Sequence, residues 1–171
     1  MNLFKHPFTS IISGPSGFGK TCVRLLNNID FTVSDFRDIV CFSDDCAISR
    51  EQLARAGRRI IYHRGIPDVE KVGDDPRLVV LDDLNEAYSK DVCDLFTKGS
   101  HRRNISVILI TQNLFHQGRF SRDKALNSKY LVVFKKVRDK NQFAYLARQV
   151  YPEESKGLYK SYLNATRRSH D

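Results

Sequence analysis

Gly14-Pro15-Ser16-Gly17-Phe18-Gly19-Lys20-Thr21 assembles the residue types that hold a polyphosphate. Gly14 and Gly19 allow the backbone to curl so that successive N–H groups point inward. A helix opening at Lys20 would add unsatisfied N–H groups and the positive end of its dipole. Lys20 would then reach the β- and γ-phosphates, and the Thr21 hydroxyl would ligate magnesium. The expected nucleotide-contacting set runs through Gly14, Pro15, Ser16, Gly17, Phe18, Gly19, Lys20, Thr21 and Cys22. A chance match in a turn arises in about one chain in a hundred of this length, and the flanking strand and helix reduce that further.

A second constellation is Arg77-Leu-Val-Val-Leu-Asp82-Asp83, an apolar strand ending in two carboxylates. Asp82 is expected to hold the cation, and Asp83 to polarise the water that attacks the γ-phosphate. Adjacent carboxylates repel, so a cation between them is favourable. Alternatively Asp-Asp-Leu-Asn followed by Glu86 starts a helix as an N-cap. A third candidate is Gln112, where the strand Ile105–Thr111 gives way to Gln112-Asn113. A side-chain amide there could sense the γ-phosphate or orient the water, or simply satisfy local backbone.

Basic residues cluster at Lys98-Gly-Ser-His101-Arg102-Arg103, at Arg119, Arg122 and Lys124, at Lys135-Lys136-Val-Arg138-Asp-Lys140, and at Arg167-Arg168. They suit either an arginine finger acting across a subunit interface, with Arg102 or Arg103 as candidates, or contact with a nucleic-acid backbone. A solvated face is the alternative for any single lysine. The five histidines lack ligand spacing and read as structural or surface residues.

The elements that must position these groups follow an α/β pattern. Short apolar runs at Phe8–Ser13, Asp38–Ser43, Arg59–His63, Arg77–Leu81, Ile105–Thr111 and Tyr130–Phe134 predict strands. Helices are predicted at Lys20–Asn28, Ser89–Lys98, Asn141–Val150 and Glu153–Asn164, with a loop and short helix over His116–Ser128. Continuous rather than alternating apolar strands imply a mostly parallel sheet covered on both faces. Ligands of such sheets sit at the carboxyl ends of the strands, where every polar motif above falls.

The 171 residues suit one domain, and 11 Phe and 7 Tyr in a chain that is 41% hydrophobic supply a core. A net charge of +8 favours a polyanionic partner. Cys22, Cys41, Cys46 and Cys93 form no zinc pattern and read as thiols of a reducing compartment. No apolar run is long enough to span a bilayer. An intracellular location and no membrane partner are therefore expected.

The P-loop, the Asp82-Asp83 tip and the sequence from His101 to Asn113 together resemble the poxvirus-type DNA-packaging ATPases of the FtsK–HerA superfamily. The versions in Maverick/Polinton elements and adintoviruses are the nearer likeness. His116-Gln-Gly-Arg-Phe-Ser-Arg-Asp-Lys-Ala-Leu-Asn127 and Lys129-Tyr-Leu-Val-Val-Phe-Lys-Lys-Val-Arg-Asp-Lys140 are similar to that family's downstream block. The likeness spans about residues 9 to 165. It implies an additional-strand, RecA-like P-loop NTPase sandwich with the Gln-bearing strand between the P-loop strand and the Asp-Asp strand. It also implies ATP with magnesium, a homo-oligomeric ring, double-stranded DNA as cargo, and a capsid or portal component as partner. The location would be host cytoplasm or nucleus, or the virion. Lys20, Thr21, Asp82 and Gln112 carry over. Asp83 stands where many relatives have Glu. The family implies a further strand after the final helix, where this chain reads Thr166-Arg-Arg-Ser-His-Asp171. Two other functions share parts of the pattern: a nucleotide kinase with Arg119 and Arg122 in a lid, and a DNA-binding remnant without catalysis. A GTPase is disfavoured because no Asn-Lys-x-Asp motif is present.

Overall fold

The computed structural model describes residues 4–15, 36, 38–43, 60–65, 77–82, 84, 89–96, 104–114, 127–135 and 141–167. Six strands form one sheet: β1 (Thr9–Ser13), β2 (Asp38–Ser43), β3 (Ile60–Arg64), β4 (Arg77–Asp82), β5 (Ile105–Thr111) and β6 (Tyr130–Val133). Their order across the sheet is β3-β2-β4-β5-β1-β6, and every pairing is parallel. Three described helices accompany them: α1 (Lys90–Asp94), α2 (Asn141–Val150) and α3 (Ser155–Ala165). The predicted helix at Lys20–Asn28 and most of the loop at His116–Ser128 lie outside the described residues.

The apolar runs behave as two-faced strands. Ile11, Val79, Leu81, Val107 and Leu109 point to one face, where Val92, Leu95 and Phe96 pack on them from α1 and its continuation. Ile12, Leu78, Val80, Ile108 and Ile110 point to the other, under Phe4 and Phe8. Each fully buried Val, Leu or Ile contributes about 1.5–3 kcal/mol relative to exposure, so β4 and β5 are the strongest strands. The sheet's two outer strands, β3 and β6, are only partly buried, because one side of each lacks a strand neighbour among the described residues.

Strand ends depart from the predicted ones for local reasons. Phe8 falls outside β1 because its N–H goes to the Ser106 hydroxyl (3.1 Å), not to a ladder partner. Its carbonyl still accepts the Val107 N–H at 2.8 Å. The third strand runs one residue later than predicted, through Arg64, which pairs with Ser43. Gly65 then closes it at φ 82°, a left-handed turn in which its N–H reaches the Ser43 carbonyl at 3.3 Å. α1 is capped by Ser89, whose hydroxyl accepts from the Val92 N–H at 3.5 Å. It widens into a π turn at Leu95 and Phe96, so the regular α-helix is shorter than the predicted Ser89–Lys98. The last helix starts at Ser155, after a turn over residues 152–154, and not at Glu153.

Candidate active site

The carboxyl ends of four neighbouring strands carry a row of buried polar residues. Ser43 ends β2, Asp82 ends β4, Thr111 ends β5 and Ser13 ends β1, each less than a tenth exposed. The parallel register sets them side by side: Asp82 pairs with Ser43 on one flank and Ile110 on the other, and Thr111 pairs with Ser13. Strands lie about 4.8 Å apart, so the tips of β4 and β1 are about 10 Å from each other, with β5 between them.

Gly14 follows Ser13 directly, is buried, and donates its N–H to the Thr111 carbonyl at 3.2 Å. This bond fixes the start of the glycine-rich segment against the tip of β5. Pro15 is half-buried. On the other flank, the Phe134 N–H donates to the Ser13 carbonyl at 2.8 Å. The chain therefore leaves β1 hydrogen-bonded on both sides.

Beyond β5 the chain turns sharply. The Thr111 hydroxyl donates to the Asn113 carbonyl (3.1 Å) and accepts the Asn113 N–H (3.3 Å). This side-chain closure of a tight turn is typical of threonine. Gln112 lies at its apex and is exposed. Asn113 in turn meets Gln142 at the start of α2, with the Gln142 amide N–H 3.4 Å from its Oδ1.

Of the candidate nucleotide-binding, metal and catalytic residues, Gly14, Pro15, Asp82 and Gln112 are described, and all four are on this one edge. Ser16, Gly17, Phe18, Gly19, Lys20, Thr21, Cys22, Asp83 and Arg103 lie outside the described residues, as does Arg102. Asn104, the residue after Arg103, enters β5 at the opposite, amino edge with φ 51°. The hydroxyls of Ser13, Ser43 and Thr111 and the Asn113–Gln142 link were not singled out. A small polar residue closing each apolar run was their only sequence signal.

Oxygen donors at this edge suit a hard cation. Asp82 supplies a buried carboxylate, and magnesium is commonly held by one or two such groups together with substrate phosphates. Among the described residues no group of three or more His, Cys, Asp or Glu gathers into an all-protein metal cage.

The histidines at the two edges are packing groups. His6 at the amino edge lies between the Ser106 hydroxyl (2.7 Å from Nδ1) and Asn104 Oδ1 (2.8 Å from Nε2). His63 stacks on Phe42 with ring centroids 5.2 Å apart. No helix among the described residues is long and apolar enough to cross a membrane.

No protein-family model matches the sequence, and no curated protein is significantly similar to it. The fold has solved counterparts. The chain is similar to the genome packaging NTPase B204 from Sulfolobus turreted icosahedral virus 2 in complex with sulfate, with a TM-score of 0.58, 12% identity, and coverage of 91% of this chain and 86% of that one. For the same NTPase in complex with ATP-gammaS the TM-score is 0.56 at 12% identity, covering 88% of this chain and 86% of that one. At this identity the likeness establishes the fold, an α/β sandwich of the P-loop NTPase kind.

Proposed function

We propose that this chain is a magnesium-dependent ATPase that drives double-stranded DNA into a viral capsid. The observation that carries the reading is the strand order: β5, tipped by Gln112, lies between β1, which leads into the glycine-rich segment, and β4, which ends in Asp82. This is the arrangement implied by the resemblance to FtsK–HerA packaging ATPases. The structural neighbours are named as genome packaging NTPases, one of them holding an ATP analogue.

In this reading the triphosphate lies across the carboxyl edge from Gly14 toward Asp82. The backbone N–H groups from Ser16 to Cys22 would cradle the β- and γ-phosphates, and Lys20 would balance their charge. Thr21 and Asp82 would hold magnesium, which when bound neutralises charge on the phosphate oxygens. A water attacks the γ-phosphorus, the bond to the β-phosphate oxygen breaks, and Asp83 takes the water's proton. Gln112 orients that water. Preorganised groups of this kind each contribute a factor of about 10²–10³.

Arg103 is assigned to the neighbouring subunit's nucleotide. Asn104, to which it is joined, immediately precedes the seven-residue strand β5, whose far end is the candidate site. At about 3.3 Å per residue that is about 20 Å, beyond the reach of one arginine side chain. A finger at 103 therefore acts in trans, which requires a ring or another head-to-tail assembly. The positive balance of the chain suits the DNA cargo.

The test is steady-state ATP hydrolysis with and without double-stranded DNA, on wild type and Lys20→Ala. The expected result is turnover stimulated by DNA and lost in the variant by at least about a hundredfold. Turnover that is absent, or is indifferent to both DNA and Lys20, would sink the motor reading. Mixing Lys20→Ala subunits with Arg103→Ala subunits tests the trans assignment: hydrolysis should return in part, because some interfaces then pair an intact site with an intact finger.

A further inference from the structure

The carboxyl edge of the sheet is joined to the C-terminal helices by a closed circuit of contacts. From Gly14 it passes to the Thr111 carbonyl and, through the Thr111 hydroxyl, to Asn113. Asn113 Oδ1 meets the Gln142 amide on α2 at 3.4 Å. Phe143, the next residue, stacks on Tyr162 of α3 with centroids 3.8 Å apart and planes 9° from parallel. The Tyr162 hydroxyl donates to the Phe134 carbonyl at 3.2 Å, and the Phe134 N–H donates to the Ser13 carbonyl at 2.8 Å. Ser13 precedes Gly14, and the circuit closes.

We propose that Gln142 and Tyr162 are positioning residues, through which the α2–α3 hairpin aims Gln112 at the nucleotide. The proposal rests on the ATPase reading of the same edge. An exposed amide at a turn apex takes its direction from the backbone on either side. Here that backbone is tied by Thr111 on one side and Asn113 on the other. The links are unequal in a telling way. The Phe143–Tyr162 ring stack holds the hairpin together and the Tyr162 hydroxyl ties it at 3.2 Å to Phe134, itself bonded to β1, while its reach to Asn113 among the described residues is the longer 3.4 Å amide contact. That distance is long for an N–H···O bond and leaves room to tighten when the site fills. Through this contact the hairpin can hold the turn that carries Gln112 or yield to it.

The circuit is tested by a double-mutant cycle of Gln142→Ala with Gln112→Ala, with three readouts: turnover of ATP with magnesium, the nucleotide dissociation constant, and amide hydrogen exchange over residues 109–114. Gln142→Ala is expected to lower kcat by about 2- to 10-fold, the worth of one neutral hydrogen bond, and to leave the dissociation constant within about twofold. It should speed exchange over 109–114 and add no further loss in the Gln112→Ala background. Tyr162→Phe, which keeps the ring stack and removes only the hydroxyl, should act in the same direction and covers the case in which Gln142→Ala folds poorly. An equal loss in both backgrounds, or exchange over 109–114 that does not change in either variant, overturns the proposal. If wild type shows no turnover, the ATPase reading is what fails, and the exchange data alone decide the circuit.

Discussion

Two aspartates of equal burial sit at opposite ends of the same sheet. Asp38 opens β2 at the amino edge and Asp82 closes β4 at the carboxyl edge, and each is 8% exposed. Asp38 lies in register with Arg77, whose Nε is 4.0 Å from its carboxylate. Asp82 lies in register with Ser43 and Ile110, neither of which carries charge. The surroundings follow the same division. At the amino edge, His6 bridges Ser106 and Asn104, and Phe4, Phe8 and Tyr130 form a cluster of rings with centroids 4.9–5.9 Å apart. At the carboxyl edge, hydroxyls, an amide apex and a carboxylate are gathered. One edge closes the sheet with its own side chains; the other presents polar groups of the kind that hold a ligand.

The sharpest way to break this contrast is to substitute within each edge and read both stability and turnover. Phe8→Ala should cost about 3–5 kcal/mol in urea unfolding, because it empties a site only 2% exposed in the core beside Phe4 and Ile12. Turnover per folded molecule should hardly change. Asp82→Asn should do the reverse. It is expected to lower ATP turnover by about 10²–10³, while the unfolding midpoint stays near that of wild type. A large stability loss in Asp82→Asn with normal turnover would erase the distinction between the edges.

A smaller effect is expected at His6. Removing its imidazole leaves the buried Ser106 hydroxyl short of a partner, while water can replace it at the exposed Asn104. His6→Ala should therefore cost about 1–3 kcal/mol in the same unfolding measurement, again with little change in hydrolysis per folded molecule.

The sheet was legible because buried parallel strands announce themselves as uninterrupted apolar runs. Asp38–Ser43 and Ile105–Thr111 have the predicted ends. Strand order is not carried by periodicity. The placement of β5 between β1 and β4 was implied only by the family resemblance of the motifs. His6 was read as one more structural or surface histidine, since nothing local to Lys5-His6-Pro7 points to partners about a hundred residues away in Asn104 and Ser106. The Asn113–Gln142 link was invisible for the same reason. Amides are common on turns and in first helical turns, and only the fold brings these two together. Residue type and spacing pointed to Gly14, Asp82 and Gln112 at strand exits, where the fold sets them, because the phosphate and cation chemistry expected of them would demand particular residue types. Supporting hydroxyls carry no such demand and pass for ordinary strand ends.

The smallest expected effect isolates what the amino-edge ion pair is worth. Asp38→Asn keeps the shape of the side chain and removes its charge, the same chemical change as Asp82→Asn at the other end of the sheet. A cross-strand pair of opposite charges contributes about 0.2–1 kcal/mol, and 4.0 Å is at the outer limit of contact. Both side chains also make other interactions, which the substitution leaves partly in place. Partial burial works in both directions here, since it strengthens the attraction and raises the cost of desolvating the carboxylate. Asp38→Asn should therefore cost less than about 1 kcal/mol in urea unfolding. Raising salt from low ionic strength to 1 M should remove a similar increment from wild type and little from the variant, since the Debye length falls to about 3 Å. Turnover should match wild type. If Asp38→Asn instead lowers turnover as Asp82→Asn does, the two edges are coupled through β4, and the division of labour between them is wrong.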